Sequence, residues 1–170
     1  DPLGGFITIG VLPANTTSFA DTLVEPSTTY YYKVRAINQY GESAFDKVGP
    51  GVNYAYYEKT GMTVVPDFNT MTPVKTGRVN TFGLGMQLRP DNFAVKFDGF
   101  INITTGGVYT FYLQSDDGSR LYIDDNPVVN NDGLHGSANE IPGQVTLTAG
   151  IHTIGVTFFE ATGGEVLIVK

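Results

Sequence analysis

Residues that favour extended strands dominate this sequence, and residues that favour turns interrupt them at short intervals. Threonine, valine and isoleucine number 47 and phenylalanine and tyrosine add 21, so 68 of the 170 residues are β-branched or aromatic. Such side chains pack well on a pleated, half-buried surface and lose rotamer freedom in a helix. The 21 glycines and nine prolines lie scattered between the short apolar runs. Because no stretch has a sustained helical period, the chain is predicted to be all-β, a sandwich or barrel.

The charge balance and the missing residue types exclude several classes of function. Lysine and arginine number 10 against 17 aspartates and glutamates, so the formal net charge is -7. Nucleic acid is therefore not an expected partner, because phosphate binding needs clustered cations. The chain has no cysteine, which excludes a disulfide framework, a zinc ribbon and a thiol nucleophile. No apolar run approaches the roughly 20 residues that span a bilayer, so no membrane insertion is expected.

A Gly-Pro-Gly sequence at residues 49–51 is predicted to be a linker between two segments, residues 1–48 and 52–170. The second segment contains apolar and polar residues in alternation, as a sheet with one buried face requires. Asp125-Asn126 is predicted to form a tight hairpin turn, with Asp124 also a turn residue. The clearest predicted strands are Phe93 to Phe97, Val108 to Leu113, Arg120 to Asp124, Gln144 to Leu147, His152 to Phe159 and Glu165 to Val169.

The first segment carries three short motifs in a characteristic order. These are the sequence from Val24 to Tyr30, the stretch Val34 to Asn38 within the predicted strand Tyr30 to Asn38, and Gly41-Glu42-Ser43. Together they resemble the second half of a fibronectin type III domain. The resemblance implies that Tyr30 closes a corner, its hydroxyl bonding to nearby backbone.

This first segment is short for such a sandwich, which needs about 90–100 residues. It has about half that length, and the chain contains no tryptophan for the usual core position. A half sandwich leaves strand edges and apolar faces open. We therefore expect either that the chain is a fragment of a longer protein or that a neighbouring chain completes the sandwich by self-association through the open edges.

In the second segment, a predicted strand leads directly into Asp116-Asp117-Gly118. Taken alone, two aspartates before a glycine most often form a turn. Neighbouring side chains of a strand point to opposite faces, so both carboxylates would share an ion only if the peptide bond between them were cis. A calcium ion, which takes about six to eight oxygen ligands and commonly uses aspartate, would stabilise that arrangement.

Five stretches of the second segment form a recognisable set: Tyr54 to Glu58, Phe93 to Phe100, Gly107 to Phe111, Ser115 to Asp124 and Phe158 to Ala161. Together they resemble the protective-antigen (PA-fourteen) domain. The resemblance covers about 120 of the 170 residues and implies a β-sandwich with jelly-roll character. In lectin members of the family a cis-linked Asp-Asp pair binds calcium, and the ion binds vicinal sugar hydroxyls directly.

The resemblance implies a set of metal ligands. Asp116 and Asp117 match the cis-linked pair, and Glu160 stands where many lectin members have asparagine or glutamine. Backbone carbonyls of the following loop, from Thr162 and Gly164, would complete the protein ligands. A third carboxylate at Glu160 would either raise calcium affinity or fill a position that a sugar hydroxyl otherwise takes.

A second polar cluster runs from Asn130 to Gly136 and includes Asn131, Asp132 and His135. The simpler interpretation is a glycine-rich connection in which asparagine and aspartate adopt turn conformations. The family has a similar loop, which implies that this cluster lines the rim of the same site. The candidate carbohydrate-binding residues are therefore Asp116, Asp117, Asn131, Asp132 and His135.

An enzyme is not expected, because glycosidase carboxylates flank the bond at about 5 Å or more across a cleft and adjacent aspartates do not. No serine elbow, phosphate loop or zinc-binding histidine pair is present. The sequence predicts a non-catalytic, calcium-dependent module that binds glycan or cell-surface polysaccharide. It would belong to a secreted or cell-surface protein, an adhesin or a larger glycoside hydrolase. The alternative is a structural spacer or self-assembling extracellular filament subunit.

Overall fold

The chain divides into two compact units, Asp1–Pro50 and Gly51–Lys170. The computed structural model describes residues 7–13, 16, 18–28, 30, 32–34, 37–38, 41–42, 46–48 and 51–170. Two residues of the predicted linker, Gly49 and Pro50, lie outside the described residues. The same holds for Tyr31, Arg35 and Ala36 of the predicted first-segment strand.

The described part of the first unit contains two short antiparallel strand pairs. Strand β1 (Tyr32–Val34) pairs with β4 (Asp46–Val48), and β2 (Ile37–Asn38) pairs with β3 (Gly41–Glu42). The Tyr30 hydroxyl accepts a hydrogen bond from the Glu25 backbone N–H at 3.0 Å. This contact between the tyrosine hydroxyl and nearby backbone is the one predicted for Tyr30.

The second unit is built from nine strands. The only helix among the described residues is a 3₁₀ turn at Phe68–Thr70, capped by the Asp67 side chain, which accepts from the Asn69 N–H. The strands are β5 (Val52–Glu58), β6 (Lys75–Val79), β7 (Phe93–Ile103), β8 (Gly107–Asp116), β9 (Ser119–Ile123), β10 (Asn126–Asn131), β11 (Ile141–Leu147), β12 (Gly150–Glu160) and β13 (Val166–Val169).

These nine strands form two antiparallel sheets. The larger has the order β10-β9-β12-β7-β5-β6, and the smaller has the order β11-β8-β13. One hydrophobic core takes residues from both sheets, including Phe97 and Val156 from the larger and Phe111, Leu113 and Leu167 from the smaller. The second unit is therefore a β-sandwich, which confirms the predicted fold class for this part of the chain.

Aromatic side chains fill the centre of the sandwich. Phe93 and Phe158 are fully buried, with ring centroids 5.7 Å apart, and Tyr56 stacks on Phe93 at 5.4 Å. Because side chains alternate along a strand, the neighbours of these residues point to the opposite face of the larger sheet. There Tyr57, Ala94 and Phe159 form a second, smaller cluster with Met62, which we call the outer cluster. It is covered by Val65, Phe68 and Met71, which like Met62 lie in the segment between β5 and β6.

The hairpin between β9 and β10 lies one residue earlier than the sequence predicts. Asp124 and Asp125 have φ angles of 49° and 61°, and Asn126 pairs with Ile123 as the first pair of the hairpin. A two-residue hairpin turn of this kind needs positive φ at both central residues, which aspartate tolerates. The turn is therefore Asp124-Asp125, and the prediction of Asp125-Asn126 is displaced by one position.

The same hairpin is tied to β12 by an ion pair. His152 Nδ1 lies 2.6 Å from Asp124 Oδ2, and His152 Nε2 lies 3.0 Å from the Thr148 carbonyl oxygen. Both ring nitrogens face acceptors, so the doubly protonated imidazolium is favoured. The hydrogen bond to Asp124 raises the pKa of His152 above its ordinary value of 6.5, and the same bond lowers the pKa of Asp124.

We expect the pKa of His152 to lie above 6.5 in the folded protein and to fall towards that value in Asp124→Asn. The contribution of His152 to stability is fully present below its unfolded pKa and is lost as pH rises through the raised folded pKa. The contribution of Asp124 is lost at the acid end, as pH falls through its lowered pKa. An NMR titration of the imidazole protons measures this, with His152→Gln assigning the signal. An unchanged pKa in Asp124→Asn would contradict the pairing.

Candidate metal centre

Two crossings between the sheets meet at one end of the sandwich. The chain leaves the smaller sheet at the end of β8 and enters the larger sheet at β9, with Asp116 and Asp117 at the crossing. It leaves the larger sheet at the end of β12, at Glu160, and returns to the smaller sheet at β13. Both crossings carry carboxylates, and both lie where strands end.

The strand register determines which residues face each other at these crossings. Phe158 on β12 pairs with Ser119 on β9, and the Phe159 N–H donates to the Gly118 carbonyl at 2.9 Å. The antiparallel order therefore brings Glu160 beside Asp117. On the other sheet Val166, the first residue of β13, pairs with Asp116. Residues distant in sequence are thus adjacent, because the β12–β9 and β13–β8 pairings both reach the same end of the sandwich.

Asp116, Asp117 and Glu160 form one compact carboxylate cluster. One carboxylate oxygen from each lies within 4.8 Å of the other two, and the peptide bond between the aspartates is cis, as expected. Asp116 is half-buried, Asp117 is 5% exposed and Glu160 is 0% exposed. Two oxygens on one calcium ion are separated by at most about 5 Å, since each lies about 2.3–2.6 Å from the ion. The three carboxylates could therefore hold one cation.

Backbone amides orient the Asp117 carboxylate. The His135 N–H donates to Asp117 Oδ1 at 3.1 Å, and the Ala161 N–H donates to Asp117 Oδ2 at 2.9 Å. A carboxylate has about four lone-pair positions, so each oxygen keeps a free lone pair for a cation. Neither amide was identified from the sequence, because a backbone donor leaves no residue-type signal.

Glu160 is the most unusual group in the cluster. It is fully buried, and neither carboxylate oxygen has a hydrogen-bond partner among the residues that the structure describes. Burial is the largest cause that raises the pKa of Glu160, followed by the Asp117, Asp116 and Glu165 carboxylates; the nearby Asp117 backbone N–H lowers it, and the pKa is about 8. A buried, unpartnered carboxylate is costly unless a proton or a cation compensates for it. Hard oxygen donors are the ligands that calcium and magnesium prefer.

The loop after Glu160 adjoins the cluster from one side. A Cβ atom built at Gly164 would lie 3.5 Å from Asp116 Oδ2, so the backbone of Gly164 passes close to that carboxylate. Thr162 lies in the exposed part of the same loop, and the Gly163 N–H donates to Asp91 Oδ1 at 3.1 Å. The structure thus brings Gly164 close to Asp116, while Thr162 is exposed two residues earlier in the loop.

Residues 132–136, which we call the rim loop, also adjoin the cluster. Just before the loop, the Asn131 side chain points inward and donates to Ser115 Oγ at 2.9 Å. His135 contributes its backbone N–H to Asp117, while its ring nitrogens contact backbone carbonyls of Asn131 and Gly136. Asp132 is engaged by protein groups on both carboxylate oxygens.

Gly118 allows the chain to pass between these elements. A Cβ atom at this position would lie 2.5 Å from the Phe159 ring, 2.7 Å from the Gly133 nitrogen and 2.9 Å from Asp132 Oδ1. The glycine after the aspartate pair is therefore required for close approach of β12 and the rim loop, and not for an unusual φ angle.

The chain belongs to the PA14 domain family, which it matches over residues 49–168. A search of curated protein sequences finds no match to the chain. No helix of the described residues has the length and apolarity needed to cross a membrane.

Three solved structures with the same fold illustrate the family, and at these identities they support the fold alone. An anti-sigma factor domain-containing protein from Clostridium clariflavum is 23% identical with a TM-score of 0.57, over 71% of this chain and 41% of its own. The PA14 sugar-binding domain from an RTX adhesin is 18% identical with a TM-score of 0.58, over 72% of this chain and 89% of its own. The A domain of epithelial adhesin 9 from Candida glabrata, in complex with Galβ1-3GlcNAc, is 12% identical with a TM-score of 0.53, over 71% of this chain and 80% of its own.

The chain thus spans less than half the length of the Clostridium protein, and a second anti-sigma factor domain-containing protein is covered over 42% of its length.

We expect Gly118→Ala to destabilise the protein, because the added methyl group would overlap Phe159 and the rim loop. Overpacking of this kind costs about 1–3 kcal/mol. Gly107→Ala is the matched control, since a Cβ at Gly107 in β8 meets no atom within 4 Å. Chemical denaturation of both variants in chelator measures the difference. Equal stability of the two variants would contradict the packing described for Gly118.

Proposed function

We propose that this PA14 domain is a non-catalytic, calcium-dependent carbohydrate-binding module of a secreted or cell-surface protein. The observation that carries the proposal is the buried carboxylate cluster of Asp116, Asp117 and Glu160, with both oxygens of Glu160 unpartnered. Three converging carboxylates repel one another, and a bound divalent cation converts this repulsion into attraction.

Calcium is the cation that the donor set favours. All three side chains offer carboxylate oxygens, which are hard ligands, and no imidazole nitrogen joins the cluster. In this proposal Asp116, Asp117 and Glu160 hold the ion, and the carbonyls of Thr162 and Gly164 add ligands from the loop. Calcium takes about six to eight ligands, so positions remain for groups from outside the protein.

Sugar hydroxyls are the groups that would take the remaining positions. The cluster lies at an end of the sandwich, bordered by the half-exposed rim loop and by the exposed loop at Thr162. The names of two structures with the same fold support this substrate class, since one is a sugar-binding domain of an adhesin and the other is bound to a disaccharide. His135 and Thr162 flank the cluster and are the residues that we expect to influence sugar preference.

The setting of the module is also part of the proposal. We assign residues 1–48 to the second half of a fibronectin type III domain, residues 49–51 to a linker and residues 52–170 to the binding domain. The hydrogen bond between the Glu25 N–H and the Tyr30 hydroxyl supports the first assignment. The module would belong to an adhesin or lie beside a polysaccharide-degrading enzyme. We also predict self-association through open strand edges.

Calcium binding to the full chain is the first test. We expect a saturable isothermal titration that chelator reverses, and a rise in thermal stability when calcium is added. A ligand at about 100 times its dissociation constant stabilises the folded state by about 2.7 kcal/mol. Asp117→Asn should abolish both signals, because it removes one charge from the centre of the cluster.

Asp125→Asn is the matched control for charge removal. Asp125 is exposed and lies beyond the far end of β9, which is about 20 Å along the strand from Asp117. We expect this variant to bind calcium as the parent does. Absence of binding to the parent at millimolar calcium, or full binding by Asp117→Asn, would contradict the proposed metal site.

Glycan binding is tested separately on an array of sugars in calcium and in chelator. We expect binding to sugars with vicinal hydroxyls that is lost in chelator and in Asp117→Asn. Single-site binding through one ion is expected to be weak, so the protein should be displayed as a multivalent conjugate. Calcium binding with no calcium-dependent glycan signal would favour a structural role for the ion and contradict the lectin assignment.

A further inference from the structure

Asp132 makes more contacts with protein groups than its place in a polar loop suggests. Its Oδ1 accepts from the Val65 N–H at 2.7 Å and from the Gly133 N–H at 2.9 Å. Its Oδ2 forms an ion pair with Arg120. The side chain is 7% exposed, so little of the carboxylate is left to contact a sugar in solvent.

The rim loop that Asp132 begins leads directly to the carboxylate cluster. Three residues further on, the His135 N–H donates to Asp117 Oδ1. The His135 ring contacts the Asn131 carbonyl at 2.9 Å, which closes the loop on itself. The position of the His135 amide therefore depends on where Asp132 fixes the start of the loop.

We propose that Asp132 and Arg120 form a positioning pair for the metal site: they hold the rim loop so that the His135 amide orients Asp117 towards the cation. This inference rests on the proposed metal function, and it assigns to Asp132 a role other than sugar contact. The pair joins three elements, because Arg120 lies on β9, Asp132 follows β10 and Val65 lies between β5 and β6. A charge-assisted contact of this kind is shorter and stronger than a neutral one.

The other oxygen of Asp117 supplies an internal comparison. It accepts from the Ala161 N–H, which follows β12 and packs against the outer cluster. Among the described residues, no hydrogen bond or ion pair joins Asp132 to Ala161. Loss of the positioning pair should therefore release the His135 amide and leave the Ala161 amide in place, whereas general destabilisation would affect both.

Amide hydrogen exchange of the full chain in chelator tests this directly. In Asp132→Ala we expect the His135 amide to lose its protection while Ala161 keeps its own. In calcium titrations of the same variant we expect about tenfold to hundredfold weaker binding, the usual effect of losing a group that orients a metal ligand. Asp132→Asn retains an oxygen for both amides and should recover most of the protection and of the affinity.

Two further variants keep the test decisive. Asp67→Ala removes a carboxylate that also accepts a backbone amide, but at a 3₁₀ turn that forms no hydrogen bond with the rim loop among the described residues. It should change neither readout. Arg120→Gln breaks the ion pair and spares the amide contacts, so it should show the same selective loss in smaller degree if Asp132→Ala does not fold.

The outcomes separate this inference from the proposed function. Unchanged exchange at His135, or equal loss at His135 and Ala161, would overturn the positioning role whatever the calcium result. Selective loss at His135 with unchanged calcium affinity would overturn the link between the pair and the metal. Failure of the parent chain to bind calcium would overturn the proposed function, while the exchange pattern would still decide whether Asp132 orients Asp117.

Discussion

The candidate site depends on the register of β12, which lies between β7 and β9 in the larger sheet. Eleven residue pairs, from Gly150 with Ile103 to Glu160 with Phe93, fix β12 against β7. Buried phenylalanines on both strands hold this register, because a slip of one residue would turn them to the opposite face. Glu160 is the last residue of this ladder, so its place beside Asp117 follows from packing many residues away.

The sandwich therefore holds together three carboxyl groups that repel one another when all are ionised. In a low-dielectric interior such repulsion is much stronger than in water, and no hydrogen bond from the described residues to the Glu160 oxygens offsets it. Apolar packing compensates for this repulsion, because the buried side chains of β7 and β12 and the outer cluster stabilise the crossings on which the carboxylates lie. A fold can keep mutually repelling carboxylates together only where the surrounding packing determines the backbone. A bound cation relieves this repulsion, and the relief contributes to the free energy of cation binding.

Local sequence signals predicted the parts of the structure that depend on local physics. The β-branched and aromatic content predicted the strands. The aspartate pair alone predicted a turn, and only the family resemblance around it predicted a carboxylate site shared with Glu160. The hairpin at Asp124 was displaced by one residue, because aspartate and asparagine both tolerate the turn conformation. The contacts of Asp117 with Ala161, 44 positions away, and of Asp132 with Val65, 67 positions away, depend on long-range register that no local pattern contains.

Acidic residues near the cluster differ in how their oxygens are satisfied, and this difference distinguishes their roles better than residue type does. Asp132 has contacts on both oxygens, which is what a group that holds backbone in place requires. Asp117 has one amide on each oxygen and a free lone pair beside it, which suits a ligand that must be both oriented and available. Neither carboxylate oxygen of Glu160 has a hydrogen-bond partner among the described residues, so Glu160 gains more from a bound cation than Asp117 or Asp132 does. The sequence predicts both Asp132 and Asp117 as carbohydrate-binding residues, and only the contacts of the folded chain distinguish the residue for which we propose a positioning role from those that we propose bind the ion.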